Sequence, residues 1–140
     1  MGNLNKNLKK IHVMVGILIN SQNQICISKR LHHKHLGGYW EFPGGKKNQD
    51  ESCLEALARE FDEELGVKIL NAEPWFYCEH EYPEIRVYLD IWSIKKYSGD
   101  PYSREGQEVK LISVDQLAEY VFPEANQEIV ARLLEKYSKI

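Results

Sequence analysis

Apolar and polar residues alternate along the chain in a pattern that predicts several β-strands. Residues 11–19 and 25–30 are rich in apolar and β-branched side chains, whereas residues 20–24 between them are all polar. A polar run between two strand-like segments indicates a turn, so we expect a β-hairpin here. Three further strand-like segments lie near residues 67–80, 85–94 and 108–114.

The most regular helical pattern lies between Asp50 and Gly66. Asp50 is the predicted N-cap, and Gly66 can adopt the positive φ that often ends a helix. A second helix is expected over about residues 124–138. In both segments apolar side chains recur at intervals of three and four residues, at Leu54, Leu57, Ala58, Phe61 and Leu65 in the first and at Ile129, Leu133, Leu134 and Tyr137 in the second.

Strands and helices are mixed along the chain but do not alternate strictly. With 140 residues, no internal repeat and no low-complexity linker, the sequence predicts one domain over residues 1–140. Its core is expected at about residues 10–138. This order of elements favours an α/β sandwich, in which a mixed β-sheet lies between helices, over a doubly wound fold.

Charge and cysteine content exclude some classes of partner. The formal net charge is -3, and Lys and Arg are dispersed along the chain, so we expect no binding to a nucleic-acid polymer. The apolar run 11–19 is too short to span a bilayer, and no membrane association is predicted. Cys26, Cys53 and Cys78 are far apart, so their spacing predicts neither a zinc site nor a disulfide framework. A reducing cytoplasm is the expected location.

A loop with three histidines follows the second predicted strand. His32, His33 and His35 lie close in sequence to Gly37 and Gly38. Clustered imidazoles can bind a metal, but a flexible surface loop is the favoured interpretation.

Three glutamates on the first predicted helix are the main indication of chemistry. Glu60, Glu63 and Glu64 are spaced i, i+3 and i+4, so their side chains share one face of the helix. Each close pair of like charges destabilises an isolated helix by about 0.2–0.5 kcal/mol, and a bound cation would reverse that effect. Oxygen ligands of this kind suit Mg²⁺. The helix alone leaves open the alternative that this is a solvated acidic face.

The residues before these glutamates complete a longer motif. It runs Gly, five residues, Glu, seven residues, Arg-Glu, apolar, any, Glu-Glu, any, Gly, apolar, from Gly45 to Val67. This run resembles the Nudix box at every fixed position. The one soft departure is Phe61, where the family more often has an aliphatic residue.

The resemblance implies an enzyme with the Nudix α/β/α sandwich fold that uses Mg²⁺, with Mn²⁺ able to replace it. Gly44 and Gly45 would form a tight turn close to metal and phosphate. Arg59 would pair with Glu51 and fix the loop against the helix. Glu105, outside the motif, is a further candidate for the base. The implied metal ligands are Gly44, Glu60, Glu63, Glu64 and Glu105, and the implied catalytic residues are Glu60, Glu64 and Glu105.

From about residue 11 to 135 the chain is similar to the MutT-type members of this family, in stretches that include 28–30, 41–45, 104–107 and 122–126. The similarity implies hydrolysis of the oxidised nucleotide 8-oxo-dGTP to its monophosphate and pyrophosphate, which cleans the nucleotide pool and prevents mutation. The partner would be a small-molecule nucleoside triphosphate, and we expect a monomer or a weak dimer. The residues that would contact the nucleotide are Arg30, His35, Glu41, Phe42, Pro43, Gly44 and Asn126.

Asn126 is the residue that favours an oxidised guanine as the base. Its amide has both a donor and an acceptor, so it can bridge a keto oxygen and the adjacent ring N–H of a guanine-type edge. Oxidation at position eight also turns the ring nitrogen at position seven into a donor, which a fixed acceptor in the site would select. The alternative is that Asn126 only caps the last helix.

Other interpretations stay open on the sequence alone. Arg30 can be a surface strand residue, His35 a plain loop residue, and Trp40 or Phe42 core residues. Related cytidine-triphosphate pyrophosphatases also contain a Trp-Glu-Phe-Pro-Gly-Gly run, although Asp stands there near the position of Asn126. The alternative functions are therefore hydrolysis of another nucleotide, such as CTP or a dCTP derivative, and non-catalytic nucleotide binding on the same fold.

Overall fold

A computed structural model of the protein describes residues 9–34 and 36–138. Two short 3₁₀ segments, Val114–Glu119 and Glu124–Asn126, precede the last helix. The strands and helices within these ranges are β1 (Lys9–Ile17), β2 (Gln24–Lys29), β3 (Trp40–Glu41), β4 (Gly44–Lys46), α1 (Cys53–Leu65), β5 (Lys68–Tyr82), β6 (Ile85–Ser98), β7 (Val109–Ser113) and α2 (Gln127–Tyr137).

The strands form two sheets. The larger sheet has the order β4-β1-β6-β5, in which β1 runs parallel to β6 and antiparallel to β4, and β5 is antiparallel to β6. This sheet is therefore mixed, as predicted. The smaller sheet has the order β3-β2-β7, and its strands are antiparallel.

The two segments predicted as a hairpin, residues 11–19 and 25–30, do not pair along their length. In the described residues they meet at a single bridge between Ile19 and Ile25, next to the polar turn. Beyond it β1 continues between β4 and β6, while β2 continues between β3 and β7. The predicted turn and the antiparallel connection are present, with the Cys26 N–H donating to the Leu18 carbonyl at 3.0 Å. The hairpin is much shorter than predicted, because other strands occupy both edges of β1 and β2.

Two hydrophobic cores lie on opposite faces of the sheets, and each is covered by one helix. Side chains alternate across a strand, so consecutive positions of β1 serve different cores. The predicted α/β/α sandwich, with a mixed sheet between helices, is confirmed by this arrangement. The core beneath α2 includes Val15, Ile17, Ile129 and Leu133, and the core beneath α1 includes Met14, Leu18, Leu57 and Phe61.

Phe61, the departure from the family pattern, fits the core because it packs against a glycine. A Cβ at Gly16 of β1 would overlap the ring of Phe61. Phe61 itself is fully buried. The missing side chain on β1 thus makes room for the larger ring on α1, without disturbing the glutamates beside it.

Helix α1 begins later than predicted, with Ser52 rather than Asp50 as its N-cap. The Ser52 hydroxyl accepts a hydrogen bond from the Glu55 backbone N–H at 3.1 Å, and the Glu55 carboxylate accepts one from the Ser52 N–H at 2.8 Å. This reciprocal box satisfies two donors that a helix start leaves free. At the other end Gly66 has φ of 65°, as predicted.

The buried face of α1 includes a glutamate. Leu54, which was predicted to lie in the apolar stripe, is 42% exposed. The buried face of α1 therefore lies away from Leu54 and closer to the acidic residues, so that the carboxylate of Glu64 is buried. The buried residues of α1 are Ala56, Leu57, Phe61, Glu64 and Leu65.

Helix α2 begins at Gln127, three residues after the predicted start, because residues 124–126 form a 3₁₀ segment. Ile129 and Leu133 are fully buried, as predicted. Neither α1 nor α2, the α-helices of the described ranges, is long and apolar enough to cross a membrane.

Candidate active site

A cleft of about 530 Å³ is lined by residues of both sheets and of α1. It brings together most of the predicted site residues. Pro43 is not among those that line it; its side chain is buried, and its carbonyl oxygen accepts from the Gly16 N–H at 2.9 Å. His35 lies outside the described residues. The predicted site residues in the cleft are Arg30, Glu41, Phe42, Gly44, Glu60, Glu63, Glu64, Glu105 and Asn126.

The turn at Gly44 and Gly45 brings the backbone next to the acidic helix. Gly44 has φ of 151°, and a Cβ there would overlap the carbonyl oxygen of Met14. A Cβ at Gly45 would overlap the carboxylate of Glu60. Gly44 therefore requires glycine, whereas a side chain at Gly45 would displace the carboxylate of Glu60. The close approach places backbone polar groups beside Glu60.

Arg59 ties this turn to α1. Its guanidinium donates to both carboxylate oxygens of Glu51, with Nη2 to Oε1 at 2.9 Å. It also donates to the backbone carbonyl of Lys46 at 3.0 Å and to the carboxylate of Glu60 at 2.9 Å. The predicted pairing of Arg59 with Glu51 is thus present, and it fixes one of the cluster glutamates as well. The hydrogen bonds that Glu51 accepts from Arg59, and then from the Asn48 backbone N–H, lower the pKa of Glu51 to about 2.

Replacing Glu51 by glutamine is expected to lower the free energy of unfolding near neutral pH. The variant should also lose less of this free energy than the wild type does when the pH is lowered. The folded-state pKa lies below the ordinary 4.5, so this stabilisation is complete above about pH 4.5 and is lost as the pH falls toward about 2. Urea unfolding across this pH range measures the difference between wild type and variant. Glu135→Gln, on the exposed side of α2, is the matched control. A difference that stayed constant with pH would contradict the expectation.

Glu64 has the most unusual environment of the cluster. It is only 8% exposed, and its Oε2 atom makes no hydrogen bond to any residue that the structure describes. Burial, and then the hydrogen bond and charge of the neighbouring Glu60, raise the pKa of Glu64 to about 10. Glu63, by contrast, has a side chain that is 51% exposed. The alternative of a solvated acidic face therefore does not describe Glu64.

The acidic cluster fits a divalent cation bound by oxygen atoms. Every side-chain donor in it is a carboxylate, and the free Oε2 of Glu64 is a buried acceptor. A cation would satisfy this oxygen and offset the repulsion between Glu60 and Glu64. Four cationic side chains line the same cleft and suit the phosphates of a nucleotide: Lys29, Arg30, Lys34 and Lys46.

Arg30 and Glu41 pair on the side of the cleft formed by the smaller sheet. The guanidinium Nη1 lies 2.9 Å from Glu41 Oε1. Burial raises the pKa of Glu41, although Arg30 opposes that effect. The pair is half-buried, so Arg30 is not the surface strand residue that the sequence left as an alternative.

Glu105 reaches the cleft on a loop that docks onto the C-terminal end of α1. Gln107 is buried, and its side-chain N–H donates to the Glu64 carbonyl at 3.1 Å. The side-chain oxygen of Gln107 accepts from the Glu105 backbone N–H at 3.1 Å and from the Ser103 hydroxyl at 2.8 Å. The Arg104 N–H donates to the same Glu64 carbonyl at 3.1 Å. The loop thus satisfies a carbonyl that a helix end leaves without a partner.

Gln107→Ala is expected to lower kcat by about three- to tenfold with little change in KM. The variant loses neutral hydrogen bonds worth about 0.5–1.5 kcal/mol each, and these hold Glu105 in place rather than the substrate. Steady-state kinetics measure both constants. Gln116→Ala is the matched control, because Gln116 accepts from the Ser113 N–H away from the cleft. An unchanged kcat in Gln107→Ala would show that the loop does not position Glu105.

Asn126 lines the cleft at the turn before α2. Its backbone N–H donates to the Pro123 carbonyl at 2.9 Å, whereas its side chain makes no capping hydrogen bond to α2. The capping alternative is therefore not supported, and the amide is left for another partner.

Trp40 and Phe42, for which the sequence left a core position as an alternative, differ in where they lie. Phe42 lines the cleft and stacks on Phe122 with a ring-centroid distance of 4.9 Å. Trp40 is buried and packs edge to face against Tyr120 at 5.1 Å. Trp40 is thus a core residue, while Phe42 belongs to both the core and the wall of the cleft.

Several residues of the cleft were not predicted from the sequence. Lys46 and Tyr82 lie at the ends of β4 and β5, and Gln107 follows the Glu105 loop. No local spacing marks them, since they become neighbours only through the pairing of distant strands. Gln107 falls in a stretch similar to MutT-type proteins, but nothing in its sequence context indicates that it docks the loop on α1.

Comparison with known proteins agrees with the geometry of the cleft. A family model described as NUDIX domain matches residues 14–132. The chain therefore belongs to the Nudix family of hydrolases.

Similar proteins within this family extend over nearly the whole chain. The 8-oxo-dGTP diphosphatase of Escherichia coli K12 is 33% identical over 90% of this chain and 98% of that protein. The 8-oxo-dGTP diphosphatase of Haemophilus influenzae is 36% identical over 90% of this chain and 93% of that protein. A solved structure described as MutT from Aliivibrio salmonicida and Vibrio cholerae has a TM-score of 0.83 at 36% identity, covering 92% of this chain and 100% of that chain. The CTP pyrophosphohydrolase of Escherichia coli is also similar, with 30% identity over 81% of this chain and 83% of that protein.

Proposed function

We propose that the protein hydrolyses 8-oxo-dGTP to its monophosphate and pyrophosphate, and so removes a mutagenic precursor from the nucleotide pool. The observation that carries the proposal is that the glutamate cluster of α1 and the amide of Asn126 line one cleft. One part of this cleft suits phosphates and the other suits a base. The similarity to two 8-oxo-dGTP diphosphatases over 90% of the chain supports the choice of base.

The phosphate part of the cleft supplies positive charge for the phosphates and carboxylates that can accept a proton. Lys29, Lys34 and Lys46 would contact phosphate oxygens, and Arg59 holds Glu60 in a fixed position. Glu64 and Glu105 are the candidates to accept the proton of the water that attacks an inner phosphorus. The bond that breaks is the bridge between the α- and β-phosphates, which releases the monophosphate and pyrophosphate. When bound, Mg²⁺, for which Mn²⁺ can substitute, neutralises phosphate charge and lowers the pKa of water. The residues that would hold it are Glu60, Glu63, Glu64 and Glu105, with the carbonyl oxygen of Gly44.

The base part of the cleft combines Asn126 with an apolar wall. The wall includes Val13, Val15, Phe42 and Leu89, which can cover the faces of a purine. The amide of Asn126 would donate to the keto oxygen of the base and accept from its ring N–H. A backbone acceptor for the N–H at position seven would then reject ordinary guanine, because it would be left unpaired.

A second candidate function is hydrolysis of CTP or a dCTP derivative, favoured by the similarity to a CTP pyrophosphohydrolase. Asn126 weighs against it, because the related cytidine-triphosphate pyrophosphatases have Asp rather than Asn near that position. Non-catalytic binding is opposed by the buried carboxylate of Glu64, which a binding protein has no need to keep. The cytoplasmic location, the absence of polymer binding and the monomeric or weakly dimeric state stay predictions from the sequence.

A substrate panel tests the proposal. The value of kcat/KM is measured at low concentration for 8-oxo-dGTP, dGTP, CTP and dCTP in Mg²⁺, with a metal-free arm as the control. We expect the highest value for 8-oxo-dGTP, with pyrophosphate and 8-oxo-dGMP as products. A higher value for CTP or dCTP would assign the second function, and binding without pyrophosphate release would overturn both.

A further inference from the structure

Three potential metal ligands meet away from the nucleotide cleft, at the start of α1. His12 lies on β1, Asp90 on β6, and Cys53 is the first residue of α1. Their ligand atoms, Nε2, Oδ2 and Sγ, all lie within 4.8 Å of one another. His12 Nε2 is 2.9 Å from Asp90 Oδ2, and Cys53 Sγ is 3.6 Å from the same oxygen. The cluster thus joins two strands of the larger sheet to the helix that carries the glutamates.

We propose that His12, Cys53 and Asp90 form a binding site for Zn²⁺ or a cation of similar chemistry. Imidazole nitrogen, thiolate sulfur and carboxylate oxygen are the ligands that zinc takes in proteins, whereas a thiolate does not suit Mg²⁺. Tetrahedral ligands at about 2.0–2.3 Å from zinc lie roughly 3.3–3.8 Å apart. Two of the present separations, 2.9 and 3.6 Å, are close to that spacing and the third is at most 4.8 Å, so side-chain movements can bring the three atoms to one ion. The fourth position would be held by water.

The surroundings of the cluster match those of a protein metal site. The indole Nε1–H of Trp92 donates to Asp90 Oδ1 at 2.9 Å, which fixes the carboxylate and leaves Oδ2 directed toward the other two ligands. An outer hydrogen bond of this kind orients a metal ligand. All three ligands are half-buried. A surface cavity of about 290 Å³ reaches His12 among the three ligands.

This site is separate from the acidic cluster. Cys53 precedes Glu60 by seven residues, which corresponds to about 10 Å along a helix. The two sites also differ in donor atoms, since the cluster of Glu60 and Glu64 offers oxygen only. A metal at Cys53 would pin the start of α1 to β1 and β6. The proposal does not depend on the proposed substrate.

Cobalt titration tests the site directly. Co²⁺ is added to the metal-free protein in saturating Mg²⁺, so that the oxygen sites are occupied, and absorption is followed before displacement by Zn²⁺. We expect one equivalent of Co²⁺ to give a thiolate-to-metal charge-transfer band that Zn²⁺ removes. Cys53→Ser should abolish the band, and Cys78→Ser, at a half-buried thiol on β5, should retain it. Absence of the band from wild type, or its survival in Cys53→Ser, would overturn the proposal.

Two further measurements separate a metal site from a hydrogen-bond cluster. Trp92→Phe should weaken Zn²⁺ binding by about 10- to 100-fold, because it removes the donor that orients Asp90. A hundredfold excess of Zn²⁺ over its Kd should raise the wild-type Tm by roughly 5–10 °C. This rise should disappear in Asp90→Asn, which also tests the site if Cys53→Ser does not fold. An equal rise in Asp90→Asn would place the metal elsewhere.

Discussion

Glu64→Gln is expected to lower kcat by about 10²–10⁴-fold, the range associated with loss of a positioned acid–base group, while the fold persists. Glu64 is buried in the cleft with a free carboxylate oxygen, and glutamine keeps its size but cannot accept a proton or neutralise a cation. In the absence of metal the raised pKa keeps Glu64 protonated near neutral pH, so glutamine replaces a neutral group of the same size there. The free energy of unfolding in the absence of metal should therefore change little.

Steady-state kinetics in Mg²⁺ and urea unfolding of the same preparation measure the two effects. Glu135→Gln applies the same chemical change at an exposed position of α2 and should leave both values unchanged. A wild-type kcat for Glu64→Gln would show that Glu64 takes no part in catalysis. A loss of activity that matched a loss of folded protein would assign it a structural role instead.

The parts of the site that the sequence predicts well depend on local spacing. The glutamates share one face of α1 because the helical repeat places them there, and Gly66 ends the helix because only a residue tolerant of positive φ fits. The pairing of Arg59 with Glu51 likewise joins a residue of α1 to a residue just before the helix, eight positions earlier in the sequence. Such features need no knowledge of which strands are neighbours, so the motif from Gly45 to Val67 is informative by itself.

The parts that the sequence predicts poorly depend on contacts between distant segments. Residues 11–19 and 25–30 are joined by a polar turn, yet beyond the bridge at the turn each pairs with other strands, β4 and β6 for the first and β3 and β7 for the second. Gln107 is buried only because its loop docks on α1. His12, Cys53 and Asp90 come from three separate segments, so no spacing of cysteines could reveal them.

The N-cap of α1 is a different case, because neighbouring residues in the sequence are enough to predict it. Ser52 and Glu55 form the Ser-x-x-Glu pattern of a capping box, which is a stronger indication than the single Asp50. The buried position of Glu64 was harder to predict. Apolar spacing alone placed Leu54 in the stripe, although the true stripe passes through Ala56, Leu57 and Phe61.

Asn126→Ala is expected to raise KM for 8-oxo-dGTP by roughly ten- to hundredfold, and KM for dGTP by a similar factor, because both bases carry the keto oxygen and ring N–H that the amide would bind. The substitution removes a hydrogen bond worth about 0.5–1.5 kcal/mol and leaves a base group unpaired at about 1–3 kcal/mol, with about 1.4 kcal/mol per tenfold. The effect should appear in KM for 8-oxo-dGTP, since the phosphate groups are held by other residues.

Stability separates this role of Asn126 from helix capping. A lost cap would lower the free energy of unfolding by about 0.5–2 kcal/mol, but the Asn126 side chain makes no capping bond, so Tm should hardly change. Gln127→Ala is the control, because the neighbouring amide donates to the Phe122 carbonyl at 2.9 Å and is absent from the cleft lining. It should lower Tm slightly and keep the wild-type KM. Asn126→Asp should raise KM for 8-oxo-dGTP further than Asn126→Ala, because a carboxylate repels the keto oxygen that the amide N–H would bind. An unchanged KM for 8-oxo-dGTP in both Asn126 variants would exclude this residue from base recognition, and the choice between oxidised guanine and cytosine would then depend on the substrate panel alone.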